Sequence, residues 1–97
     1  MATGMALAHV VAGEFEAAAI CARMAVDQNP RSTIALRFLA GSLARLGQKD
    51  KAAGALRDML KIEPGLTLAT LRLRLAGINE HVWSKVAEGL RLAGLPD

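Results

Sequence analysis

This chain has almost no cysteine, and Cys21 stands alone. One thiol excludes an internal disulfide framework and a structural zinc site, and it fits a reducing compartment. Its neighbours Ala18, Ala19, Ala22 and Ala25 suggest a close-packed helix face, so Cys21 is read as a buried structural thiol. Tyrosine is absent, and the only aromatics are Phe15, Phe38 and Trp83. With 53% apolar residues, the core must be filled by Ala, Leu, Val, Ile and Met. Threonine is scarce and strand-like patterning is nearly absent, so the expected class is all-α. No block of like charge occurs, because the twelve Lys and Arg and nine Asp and Glu are dispersed for a net +3. A nucleic-acid footprint would gather its basic residues on one face, so no nucleic-acid partner is expected. No run approaches the roughly 18 apolar residues of a membrane span. The first basic residue is Arg23, and Glu14 and Glu16 interrupt the apolar start, so no secretory signal is expected. The expectation is one soluble cytoplasmic domain, since domains run from roughly 50 to 250 residues.

What the chain does contain is a repeat. Gly13 and Gly47 are separated by the same interval as Pro30 and Pro64, and at that common offset Ala18, Ala22 and Ala25 align with Ala52, Leu56 and Met59. In the second repeat Leu36, Leu39, Ala40, Leu43 and Leu46 form one helical stripe. Gly47 ends that helix in the left-handed region, and Ala52, Leu56, Met59 and Leu60 continue on a second. Glu63 precedes a proline and is biased out of the helical region, so the chain turns there. In the first repeat Met5, Ala6 and His9 precede Gly13, Val26 extends the second stripe, and Ser32 is an N-cap for the helix that follows. Residues 71–75 alternate Leu and Arg as a strand would, yet nothing else in the chain could pair with them, and Leu68, Leu71 and Leu75 also fit helical spacing. A short helix is expected. Past Gly77, Asn79 caps a last helix with the stripe Val82, Val86, Leu90 and Ala93. Glu80 and Arg91 suit its dipole, and Gly94 and Pro96 end it. The expected layout is repeat 1 over about 1–31, repeat 2 over about 32–65, a degenerate unit at 66–77 and a capping helix over about 79–94, sealed by Trp83.

These residues resemble the tetratricopeptide repeat family of 34-residue helical hairpins, over nearly the whole chain up to about Leu75. Its small residue, turn Gly, following Ala and closing Pro match Ala6, Gly13, Ala18 and Pro30, then Ala40, Gly47, Ala52 and Pro64. Phe15 holds the aromatic position after the turn, where the second repeat has Lys49. Ala2 and Leu36 replace the early aromatic, and Arg74 replaces a small residue in the third unit. The resemblance implies antiparallel helix-turn-helix repeats and a protein-binding groove lined by first helices. Carried over by position, the groove residues are Leu7, Val10, Val11, Ile34, Arg37, Gly41, Ala44 and Arg45, followed by Leu68 and Leu71. The family's subtype that grips chaperone tails has Asn where this chain has Leu7 and Gly41, which speaks against that ligand. The tail over residues 88–96 is similar to the ends of repeat regions in bacterial multidomain proteins that begin with a class III nucleotide cyclase or a winged-helix domain. That similarity, and a start inside a repeat, lead to the expectation of a segment from a larger signalling or regulatory protein.

No catalytic chemistry is legible. His9 and His81 lie near opposite ends of the chain without partners at metal-ligand spacing, and there is no phosphate loop or nucleophile elbow. Neither a metal nor a cofactor is expected, and the chain is not read as an enzyme. His9 is expected to be partly buried and His81 exposed. Arg37 and Arg45, two turns apart, either clasp a carboxylate-bearing peptide or are solvated without a ligand. The other groove positions are small and apolar, which suits a partner helix, from another protein or from a second copy. The leading reading is a protein-interaction module. The alternative is a structural spacer that caps an array.

Overall fold

The computed structural model describes residues 2–97. Six helices follow in order: α1 Ala2–Ala12, α2 Phe15–Gln28, α3 Thr33–Arg45, α4 Lys49–Ile62, α5 Leu68–Arg74 and α6 Glu80–Ala93. There is no strand among the described residues, and the alternating Leu and Arg segment is helix α5 with its C-cap at Leu75.

The helix ends follow from local chemistry. Ser32 Oγ accepts from the Ala35 amide at 3.2 Å and starts α3. Thr67 and Thr70 cap α5 reciprocally, each side chain accepting from the other's amide. Asn79 Oδ1 accepts from the His81 amide at 2.8 Å and starts α6. Gly94, at φ 112°, ends α6 in the left-handed conformation.

The repeat period reappears in the backbone. Gly13 and Gly47 share a φ of 81°. The Glu14 amide donates to the His9 carbonyl and, one period later, the Gln48 amide donates to the Leu43 carbonyl. Helices α2 and α4 are both 14 residues long, and each ends on a cap residue, Asn29 or Glu63, with a ψ outside the helical range before the next turn.

Helix α3 is the centre of the molecule. It is apolar nearly all round, and Ala35, Leu36, Phe38, Leu39, Ala40, Leu43 and Ala44 are all buried. A helix without a polar face must be covered on several sides. It packs extensively on α2, α4 and α6, and more lightly on α1, while α2 and α4 do not touch each other. By contrast, α4 is amphipathic: Ala52, Ala55, Leu56 and Met59 face inward, and Lys49, Asp50, Lys51, Arg57, Asp58 and Lys61 are exposed.

Helix α6 does more than cap an end. It lies across α3 and also touches α1 and α4, burying Trp83, Val86, Ala87, Gly89 and Leu90. The crossing point is Gly41 against Gly89, where a Cβ on Gly89 would lie 2.9 Å from the Gly41 Cα. Glycine at position 89 removes that obstacle, while a Cβ on Gly41 would meet the Gly89 backbone at an ordinary 3.6 Å. Beyond α6 the chain is held down: the Leu95 amide donates to the Leu90 carbonyl, the Leu68 amide donates to the Pro96 carbonyl at 2.9 Å, and Leu95 is buried. The radius of gyration is 11.7 Å, slightly below the about 12.5 Å typical of this length. Helix α6 folds back over the body instead of extending it.

Two packing expectations change. Cys21 is half-buried against the core, not fully buried, because α2 turns its alanine stripe and Val26 inward. Arg37 is buried, not solvated, because α3 is surrounded.

Candidate functional site: a closed face and an open cleft

The groove residues expected from the repeat pattern fall into separate places. Val10, Arg37, Gly41 and Arg45 come together, joined by Phe15, Phe38 and Ser42, along the line where Lys85, Val86 and Gly89 of α6 cross. Ala44, Leu68 and Leu71 are buried outside this line. Leu7 and Val11 are half-buried, and Ile34 is exposed at the start of α3. The face along α1 and α3, where an open groove is expected, carries α6. The hollow left there is about 10 Å³, room for about one water and too small for a peptide side chain.

Of the two arginines expected to clasp a ligand, Arg45 is paired within the chain and Arg37 is buried without a partner among the described residues. Arg45 Nη2 lies 3.0 Å from Glu88 Oε2 on α6, an ion pair, and the guanidinium stacks 4.8 Å from the Phe15 ring centre. Arg37 has no ion pair among the described residues, and its Nε is buried without a hydrogen-bond partner there. Burial pulls its pKa below the ordinary arginine value, opposed by the field of Glu63. Glu63 in turn accepts from Arg74, and that hydrogen bond holds its carboxyl below the usual range.

A second surface is open. Because α2 and α4 both rest on α3 without meeting, a cleft runs between them with Leu36, Leu39 and Leu43 at its base. It consists of two adjoining hollows of about 450 and 290 Å³ that share Arg23, Leu39 and Lys51. On the α2 wall, Ile20 is 60% and Met24 52% exposed, and one helical turn apart they form a small apolar patch on the cleft lip. The α4 wall presents Lys51, Gly54, Ala55, Asp58 and Lys61. Residues 51, 54, 58 and 61 follow helical spacing, so they form one face.

Gly54 has no duty inside the fold. A Cβ there would meet only the tip of Arg57, at 3.9 Å. Mid-helix glycine costs about 0.5–1 kcal/mol relative to alanine, and here it leaves the α4 wall of the cleft without a side chain. Inward apolar stripes do not reveal this cleft, because its lips are outward positions of α2 and α4. The legible signal was a glycine inside a helix without a turn, beside outward Ile20 and Met24.

No metal-holding group of three or more His, Cys, Asp or Glu occurs among the described residues. No helix among them is long and apolar enough to cross a membrane. His9 is partly buried and bonds Glu14 at 3.0 Å across the first turn, and His81 is exposed. No family model, curated protein or solved structure matches this chain.

Proposed function

We propose that this chain is a protein-interaction module of tetratricopeptide type, a segment of a larger bacterial signalling or regulatory protein acting in the cytoplasm, and that its partner-facing surface is the α2/α4 cleft. The observation that carries the reading is the cleft itself: exposed Ile20 and Met24 beside a leucine base, with a glycine widening the opposite wall. The repeat assignment is supported by the periodic recurrence of turn glycines, amide bonds and second-helix length. The α1/α3 face also behaves as a helix receiver, since α6 lies on it.

A photo-reactive amino acid placed at Met24 or Lys51, with His81 and Leu92 as controls, tests this in the source cell. A discrete protein adduct at the two cleft positions and none at the controls supports the reading. Equal labelling at all four, or none, overturns it. The spacer reading is favoured by one observation, the coverage of α3 by α6, and it predicts no adduct anywhere.

A further inference from the structure

Resting on that reading, we infer that the α2/α4 cleft receives an amphipathic helix of another protein that carries Asp or Glu on both flanks of an apolar stripe. The argument starts from charge. The cleft is bordered by Arg23 on one wall and by Lys51, Arg57 and Lys61 on the other, against the single carboxylate of Asp58. All five are exposed, and none of the four cations takes part in an ion pair among the described residues. This contrasts with Arg45, Arg72, Arg74 and Arg91, each of which has an acidic partner within the chain. Cations on both walls of an apolar trough match a ligand whose acids flank its apolar face.

Shape gives the same answer. The α4 wall runs over residues 48–61, about 20 Å at helical rise, the length of a helix of nearly four turns. The base is a row of leucines from one helix, so the occupant would pack as helices do, with side chains set between rows. Gly54 lowers the wall midway along, where a helix backbone could come close. An extended peptide would leave its amides unpaired in such a trough, because helix walls offer no free backbone edge. Met24 on the lip is a side chain that adapts to its neighbour.

A nucleic acid is the poorer match, since Asp58 and the exposed Ile20 and Met24 face the place where phosphates would lie. A second copy would present an α2 that carries Arg23 beside exposed Glu16 and Asp27, and sedimentation distinguishes it from another protein.

The test uses the whole chain and a fluorescein-labelled 18-residue synthetic helix with leucines along one face and glutamates on both flanks. Its control is the same peptide with lysine in place of glutamate. Anisotropy should report saturable binding of the acidic peptide only, weakening about tenfold between about 0.05 and 0.5 M salt as screening grows. Gly54→Leu should abolish binding with helical circular dichroism unchanged. The exposed double change Arg23→Glu with Lys51→Glu should reverse the preference toward the lysine peptide, which separates charge recognition from any loss of fold. Equal binding of both peptides, no binding of either, displacement by a short oligonucleotide, or a dimer at the assay concentration in sedimentation would each overturn the inference. If adducts form at Met24 and Lys51 while the peptides show no charge preference, the interaction reading stands and this partner chemistry falls. If neither adducts nor binding appear, both fall.

Discussion

The two faces of α3 use glycine for opposite ends. On one face Gly41 and Gly89 let α6 approach until a Cβ would collide at 2.9 Å, and the surface is consumed by the chain's own helix. On the other, Gly54 stands beside open space, and the walls on either side of it do not meet. A glycine that the fold requires marks a completed contact. A glycine that the fold does not require leaves open space beside it. The charges differ less sharply: Arg45 pairs with Glu88 across the closed face, where Arg37 and Lys85 have no ion pair among the described residues, and around the open one Arg23, Lys51, Arg57 and Lys61 are all unpaired among them.

Substitutions can break or sharpen this contrast. Leu90 is fully buried on the inner side of α6, so Leu90→Ala should cost about 2–5 kcal/mol in urea unfolding, the transfer loss and cavity together. Gly89→Ala should cost about 1–3 kcal/mol by forcing α6 away from α3. Gly54→Ala should have the opposite sign and raise stability by about 0.5–1 kcal/mol, because the helix gains without a clash. If Gly54→Ala destabilised the protein, the cleft would be a packed interface and the contrast would fail.

The pair of Glu63 with Arg74 predicts a pH dependence. A carboxyl held below its unfolded pKa contributes stability that is present above the unfolded value, about 4.3, and is lost as pH falls through the folded value. Glu63→Gln should therefore lower the melting temperature at neutral pH and converge with the parent in acid. Parallel melting curves at every pH would contradict this. The smallest change is expected at the cleft lip, where Ile20→Lys should alter stability by no more than about 0.5 kcal/mol while removing partner adducts.

Much of the fold was legible because its signals are local. Ser32 and Asn79 cap their helices, Gly47 and Gly94 take left-handed conformations, Glu63 leaves the helical region before Pro64, and residues 71–74 are helical despite their alternation. What escaped was non-local. The position of α6 depends on Gly89 meeting Gly41, a contact between distant parts of the chain that forms after the repeat pattern has ended. A stripe of Val82, Val86 and Leu90 says that α6 is buried without saying against which helix. Arg37 read as a surface ligand because its charge suggested solvent, whereas the nearly all-round apolar character of α3 already implied enclosure. The cleft depends on the distance between α2 and α4, which no periodicity encodes.

Amide hydrogen exchange on the native chain tests the closed face most directly, because the account requires α6 to be part of the core and not a detachable lid. Amides over residues 86–90 should exchange only through global unfolding, with the same protection as those of α3. Exchange of α6 at a distinctly lower opening free energy than α3 would mean that the α1/α3 face becomes exposed in the native state, and the assignment of partner binding to the α2/α4 side would be contradicted.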